Sequence, residues 1–112
     1  MTKHDALGTF EQAVLLAVAH LDEEAYGVTI RREIERRTRR TIAVGALYTA
    51  VDRLERKGYV ISTMSEPTAR RGGRSKRHVR ITSTGRGALR QSREFLTRMW
   101  AGVDLEPSRS RP

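Results

Sequence analysis

The chain has 112 residues, including 22 lysines and arginines, 13 aspartates and glutamates, and no cysteine. This length suffices for one domain with a small core, and the net charge of +9 favours an anionic partner such as nucleic acid. The missing cysteines exclude disulfides, thiolate metal sites and cysteine nucleophiles. Because the sequence has no signal-peptide pattern and no long apolar run, we expect a cytoplasmic protein without membrane contact.

The first predicted element is a helix that follows a loose arm over residues 1–8. Thr9 and Gln12 have the spacing of a capping box, which predicts Thr9 as the N-cap of a helix that begins with Phe10. Its apolar residues cover nearly the whole circumference, from Phe10 to Leu21. A helix that is apolar all round must be covered on more than one side. We therefore expect one side in the domain core and another side against a second subunit.

The second predicted helix spans about 27–38, with Ile30 and Ile34 on one buried face. Its many charges read mainly as a solvated face, and the basic run 36–40 also suits a position close to DNA. Residues 41–42 fit a very short strand.

The third predicted helix spans about 44–57. Leu47, Val51 and Leu54 are spaced four and three apart, which predicts one buried stripe. Gly58 is a natural C-cap for this helix.

Two strand-like segments, 59–64 and 78–82, flank a basic run with a glycine pair at its centre. This pattern predicts a β-hairpin with a positive, flexible tip. The predicted tip residues are Arg70, Arg71, Gly72, Gly73, Arg74, Lys76 and Arg77. Arginine forks match phosphate oxygens and are attracted to narrow minor grooves. The alternative is a solvated basic loop without a ligand, which we rank lower because a recognition-like helix precedes the hairpin.

A last helix is predicted over about 84–102, with a cap offered by residues 82–84. Leu89, Leu96 and Met99 belong to a series spaced by three and four, the rhythm of paired helices. Residues 104–112 read as a disordered tail.

A helix followed by a basic hairpin predicts an α+β, mostly α fold: a winged helix-turn-helix with an added C-terminal dimerisation helix. The third helix is the proposed reader of the major groove. Its small exposed face permits close approach to bases, and the predicted contact residues are Gly45, Ala46, Tyr48, Thr49 and Arg53. Tyr48 is equally well explained as a half-buried core aromatic, and Gly45 as a loose first turn. For Arg53, a salt bridge with Asp52 or Glu55 is slightly favoured.

Enzyme chemistry finds no support, so we predict no catalytic residue, metal or cofactor. His4, His20 and His78 lie in different segments without a nearby acid or nucleophile at useful spacing. Asp52 and Glu55 share a helix face, but the surrounding arginines favour ion pairing over acid–base work. The sequence has no Walker-type phosphate loop.

An ordered set of short matches resembles the PadR family of bacterial transcriptional regulators over about residues 6–100. The matching segments are Leu7 to Gln12, Ala25 to Val28, Gly45 to Tyr48, Asp52 to Glu55, Arg71 to Arg74, and Thr82 with Gly85 and Arg86. Ala43 and Val44 stand where the family often has serine or proline, which removes a side-chain cap from the reader helix.

The resemblance implies a repressor that binds double-stranded DNA at a pseudo-palindromic operator as a homodimer. Its domains would be the arm 1–8, a winged helix-turn-helix 9–82, a dimerisation helix 83–103 and the tail. The predicted dimer interface consists of Phe10, Val14, Leu89, Leu96, Met99 and Trp100. In some compact relatives an aromatic residue lines a pore for flat ligands, so Trp100 either packs in the dimer, which we favour, or binds a small-molecule effector. The other candidate functions are non-specific nucleic-acid binding and protein interaction.

Overall fold

Helices surround one small sheet, and the structure, a computed structural model, describes residues 7–64 and 76–106. In chain order the elements are α1 (Thr9–Leu21), a short 3₁₀ turn (Asp22–Glu24), α2 (Gly27–Thr38), α3 (Val44–Arg56), β1 (Val60–Met64), β2 (Arg77–Ile81) and α4 (Ser83–Trp100). The strands pair antiparallel in a two-stranded sheet. The predicted α+β, mostly α winged-helix fold is confirmed. Residues 1–6 of the predicted arm, 70–75 of the predicted hairpin tip and 107–112 of the predicted tail lie outside the described residues.

The N-cap of helix α1 lies one residue earlier than predicted, at Gly8 and not at Thr9. Gly8 is the N-cap, and its N–H donates to the Glu11 carboxylate at 3.1 Å. Glu11, and not Gln12, therefore reaches back over the first turn. The reason lies outside the helix, because the Lys57 ammonium also donates to Glu11 at 2.9 Å and fixes this carboxylate at the helix start.

The core lies between α1, α2 and α3 and is closed by one residue from each strand. Its largest fully buried side chains are Val14, Leu15, Val18, Ile30, Leu47, Val51, Leu54 and Val60. The predicted stripe of α3 is thus buried as expected. Helix α1 buries one broad face in this core with Val14, Leu15, Ala17 and Val18, and leaves the apolar Leu16 47% exposed on another face.

Helix α3 ends in a Schellman motif. The Tyr59 N–H donates to the Leu54 carbonyl at 2.9 Å, and the Gly58 N–H donates to the Glu55 carbonyl at 3.0 Å. Gly58 has a φ of +80°, a conformation that favours glycine. The prediction of Gly58 as the helix stop is confirmed, and the chain then turns directly into β1.

The sheet starts one residue later in β1 and one residue earlier in β2 than predicted, with Val60 opposite Ile81 and Met64 opposite Arg77. A single bridge adds Tyr26 beside His78, and the Val79 N–H donates to the Ala25 carbonyl at 2.9 Å. The short strand predicted at 41–42 is wrong. There the Ile42 N–H donates to the Glu35 carboxylate at 2.7 Å, so a side chain holds this turn.

Helix α4 is anchored at its first turn and then leaves the core. The Thr82 hydroxyl accepts from the Gly85 N–H at 3.0 Å and donates to the Gly58 carbonyl at 2.7 Å. Gly85 is buried against the Tyr59 carbonyl, so closely that a Cβ there would overlap it. Over the described ranges, no helix has the length and apolar character needed to cross a membrane.

Candidate nucleic-acid interface

The outer face of α3 is open and built from small side chains. Gly45, Ala46 and Thr49 are all exposed, and a Cβ added at Gly45 would contact nothing within 4 Å. Ala43 is the N-cap and makes no side-chain hydrogen bond, as the sequence predicts, yet α3 still begins at Val44. A helix with this face can lie deep in a groove, because no large side chain holds its backbone away.

Tyr48 interrupts the small face and leans on α2. The side chain is 38% exposed, and a Cβ at Gly27 would overlap its hydroxyl. Gly27 is the first residue of α2, so the tyrosine ring fits only because that residue lacks a side chain. Tyr48 therefore combines both predicted characters: part of the ring is buried between helices while the residue remains on the open face.

The acidic residues of α3 pair with the hairpin and not with Arg53. Arg77 donates from Nη2 to Glu55 at 2.7 Å and to Asp52 at 3.1 Å. A hydrogen bond from the Ser62 hydroxyl lowers the pKa of Glu55; slight desolvation opposes this, and the Arg77 hydrogen bond adds to it. The salt bridge predicted between Arg53 and these carboxylates is therefore wrong. Arg53 is exposed, and its charge helps to lower the pKa of Glu11.

The base of the hairpin is held against the turn before α2. The Lys76 ammonium lies 4.1 Å from the centroid of the Tyr26 ring, and the same ring meets His78 edge to face at 5.4 Å. Sequence reasoning missed this role of Tyr26. Its signal is an aromatic residue directly before a helix that starts with glycine. Of the predicted wing residues, Arg70, Arg71, Gly72, Gly73 and Arg74 lie outside the described residues.

The basic residues of α2 and of the turn that follows it fall into two groups. Arg36 and Arg37 both bind Glu33, and Arg31 lies 3.8 Å from Glu35. The Glu33–Arg37 pair is the favoured i,i+4 order for a helix surface. The exposed residues Arg32, Arg39 and Arg40 make no ion pair within 7–64 and 76–106. The second group brings uncompensated positive charge to the side of the molecule where α3 begins.

A second surface, the α1–α4 groove, lies away from the reader helix. It is an open depression of about 800 Å³ whose lining includes Gln12, Leu16, Ala19, Leu89, Leu96 and Trp100. Leu16 is 47% exposed and Trp100 is 54% exposed. Such a run of uncovered apolar side chains is unusual on a monomer.

The predicted dimer residues are distributed unevenly over this surface. Leu89 is partly buried, whereas Leu96, Met99 and Trp100 are exposed on α4. Phe10 packs partly against the core. Val14 is fully buried within its own protomer and has no surface to offer a partner. Leu16 is the exposed apolar residue of α1 in the groove, which sequence reasoning missed, and its signal is the face formed by Gln12, Leu16 and Ala19 at spacings of four and three.

No group of three or more histidine, aspartate or glutamate side chains capable of holding a metal ion occurs in the part of the chain that the structure describes. The candidate site of this molecule is the open face of α3 with the base of the hairpin beside it.

Comparison with solved structures gives the same fold. A transcriptional regulator from Clostridium thermocellum is 27% identical, with 81% of this chain and 85% of that chain covered and a TM-score of 0.68. A PadR-like transcription factor from Bacteroides fragilis is 21% identical, with coverage of 82% and 84% and a TM-score of 0.70. A PadR-family regulator from Eggerthella lenta is 24% identical, with coverage of 80% and 76% and a TM-score of 0.64. None of the curated proteins matches this chain.

The small-faced helix, the hairpin beside it and the bridge from Tyr26 to His78 define a winged helix-turn-helix protein of the DNA-binding class. The model of the transcriptional regulator PadR-like family matches residues 15–91, which is more than half of the chain. The chain belongs to this family, whose members are transcriptional regulators and not enzymes. The resemblance seen in the sequence is thereby confirmed.

Proposed function

We propose that this protein is a cytoplasmic, sequence-specific repressor that binds a pseudo-palindromic operator as a homodimer. The observation that carries the proposal is the presence of two uncovered surfaces of different chemistry on one small domain. The α3 face is small and lies beside basic residues, whereas the α1–α4 groove is open and mostly apolar, with Arg86, Arg90 and Arg93 also in its lining. The first suits DNA and the second suits another copy of the chain.

A homodimer formed through the groove would present two copies of α3 to one side of a duplex. Two-fold symmetric readers bind half-sites about one helical turn apart, roughly 34 Å. In this arrangement Gly45, Ala46 and Thr49 approach base edges, while Tyr48 and Arg53 reach phosphate oxygens. Leu16, Leu96, Met99 and Trp100 supply the contacts between protomers.

The wing supplies a sequence-independent part of the affinity. Arg70, Arg71, Arg74 and Lys76 would bind phosphates or enter the minor groove, with Gly72 and Gly73 forming the tight tip. Support comes from the hairpin base, which packs against Tyr26 beside α2 in the same domain as α3. Each phosphate that a cation neutralises releases a counterion, so affinity falls with salt.

Replacing Arg71 and Arg74 together with alanine should weaken binding to all duplexes by a similar factor. The homodimer would lose four phosphate contacts, two in each protomer, so the slope of log K against log salt should also flatten by about 3.6, at roughly 0.9 per phosphate. Fluorescence anisotropy titrations at four salt concentrations measure both quantities.

The matched control replaces Arg109 and Arg111 with alanine, which removes the same charge from the predicted tail. This variant should retain the wild-type slope. An unchanged slope in the Arg71, Arg74 variant would contradict the wing assignment.

The function itself is tested by selecting duplexes from a random-sequence library with the purified protein and sequencing those recovered. Enrichment of an inverted repeat supports the proposal. Uniform recovery of all sequences would instead indicate non-specific nucleic-acid binding. Failure to retain any duplex at low salt would indicate a protein-interaction module. Repression is tested by placing the enriched repeat over a reporter promoter and comparing expression with and without the protein.

A small-molecule effector is a further partner that the groove allows. Trp100 lines the groove with an exposed indole, and packing between protomers remains its first proposed role. Quenching of the fluorescence of this single tryptophan by planar aromatic compounds, with release of DNA at the same concentration, would establish the second role.

A further inference from the structure

A closed ring of hydrogen bonds joins both strands of the hairpin to α3. Arg77 donates from Nη2 to Glu55 Oε1 at 2.7 Å and from Nε to the Ser62 hydroxyl at 3.2 Å. The Ser62 hydroxyl in turn donates to Glu55 Oε2 at 2.9 Å. Arg77 Nη2 also donates to Asp52 at 3.1 Å. One guanidinium on β2 thus binds β1 and two carboxylates of α3 at once.

The position of this ring matters because it lies between the wing and the reader. Arg77 is the first residue of β2 and pairs with Met64, the last residue of β1. Asp52 lies one helical turn after Thr49 on α3 and is exposed. Carboxylates so close to the proposed DNA face repel phosphate, so they cost affinity unless they do something else.

We propose that Arg77 is a positioning residue that fixes the angle between the hairpin and α3, and that Glu55 and Asp52 act through it. This inference rests on the proposed DNA-binding function and changes one assignment within it. Arg77 does not bind phosphate: its guanidinium is already held by two carboxylates and a hydroxyl, and its side chain is only 26% exposed. Charge-assisted, forked hydrogen bonds of this kind give direction as well as attraction.

The proposal makes a prediction whose sign is opposite to simple electrostatics. Replacing Glu55 with glutamine removes a negative charge near DNA, so attraction to any duplex should increase. If Arg77 were a phosphate contact, the same change would release it and tighten specific binding as well. If Arg77 positions the wing, the change loosens the hairpin and specific binding weakens in spite of the added attraction.

The experiment measures a specificity ratio, the dissociation constant for a scrambled duplex divided by that for a selected duplex. The ratio is compared in Glu55→Gln, Ser62→Ala and the control Glu106→Gln. The probes are a duplex that the wild-type protein recovers from a random library and a scrambled duplex of the same composition. We expect the ratio to fall about tenfold in Glu55→Gln and about threefold in Ser62→Ala, which changes no charge. The control makes the same charge change at an exposed residue near the chain end and should keep the wild-type ratio.

Equal tightening on both duplexes in Glu55→Gln, or an unchanged ratio, would overturn the proposal. Thermal unfolding midpoints identify any variant that fails to fold. Arg77→Lys then serves as the second variant, because it keeps the charge, loses the fork and should lower the ratio like Glu55→Gln.

The positioning role of Arg77 can be tested independently of the proposed DNA-binding function. If the wild-type protein selects no sequence, the proposed function fails, and amide hydrogen exchange over β1 and β2 tests the positioning role directly. Faster exchange of these amides in Glu55→Gln than in Glu106→Gln supports it, and equal exchange rates refute it.

Discussion

Glu11 is the residue that ties the start of α1 to the end of α3. Its carboxylate accepts from the Gly8 N–H and from the Lys57 ammonium, and only 10% of its side chain is exposed. Burial alone would raise the pKa of Glu11, but the Lys57 and Gly8 hydrogen bonds more than offset this and lower it. A carboxylate with a lowered pKa stabilises the folded state in its ionised form.

Replacing Glu11 with glutamine should lower the free energy of unfolding by about 1–3 kcal/mol at pH 7, because it leaves Lys57 facing a neutral group in a half-buried site. Urea denaturation measures this difference. Glu23→Gln, which changes an exposed residue of the turn after α1, is the control and should change stability little. Equal stability of both variants would contradict the role given to Glu11.

The same pair predicts a pH dependence of defined sign. The folded pKa of Glu11 lies below the ordinary value of 4.5, so its contribution is complete above that value. The contribution is lost as the pH falls through the folded pKa, because a proton binds the Glu11 carboxylate more tightly in the unfolded chain than in the folded one. The stability gap between wild type and Glu11→Gln should therefore shrink as the pH falls below 4.5 and through the folded pKa.

At the scale of elements, the first turn of α4 requires glycine at position 85 because a side chain there would overlap the backbone of Tyr59, and not because the chain must be flexible. Gly85 faces the Tyr59 carbonyl. A Cβ added at Gly85 would lie 2.9 Å from a methylene carbon of Ile81. The backbone N–H of Thr82 donates to the same carbonyl at 3.0 Å. The end of the sheet and the start of α4 are thus joined through the peptide group that follows the α3 stop.

Alanine at Gly85 and at Gly87 should have opposite effects. Gly87→Ala places its methyl in open space and should stabilise the protein by about 0.5–1 kcal/mol through helix propensity. Gly85→Ala forces the methyl into a carbonyl and should destabilise it by about 1–3 kcal/mol. Circular dichroism during thermal unfolding measures both. Stabilisation by both substitutions would show that α4 does not pack as closely as described.

At the scale of the whole molecule, α4 gives the domain an incomplete surface. Phe95, Met99 and Trp100 are each more than half exposed beyond the point where α4 leaves the core. Together with Leu16 they favour burial against a second protomer, since patches of this kind rarely stay in water.

Leu16→Asp should convert the proposed dimer to a monomer, with a dimer dissociation constant raised at least about a hundredfold by the desolvation of an added charge in a mostly apolar contact. Sedimentation equilibrium over a concentration series measures this change. Val28→Asp is the control, because Val28 is equally exposed on α2 but lies outside the groove. A Leu16→Asp protein that sediments like wild type would place the interface elsewhere.

Local signals predicted the fold well, and long-range pairings limited the prediction of the site. The buried stripe of α3 follows from residue spacing, and the end of this helix at Gly58 follows from the backbone conformation that glycine favours. Both can therefore be predicted from the local sequence. Whether Val14 or Leu16 is buried cannot be read from spacing, since apolar residues cover nearly the whole circumference of α1. Only the packing of α2 and α3 decides which face is covered. The pairing of Arg77 with Asp52 joins residues 25 positions apart. Sequence spacing favours a nearer arginine, such as Arg53, as the partner of Asp52.

The contact between Tyr48 and Gly27 has a consequence for anyone who wishes to redirect this regulator to new promoters. Libraries that vary Ala46 and Thr49 alter only outward-facing groups and should yield folded proteins in large numbers. Randomising Tyr48 alone leaves a gap above a residue that was matched to it, and changing Gly27 alone expels the ring. Codons 27 and 48 therefore form one engineering unit, to be mutated jointly or left as they are.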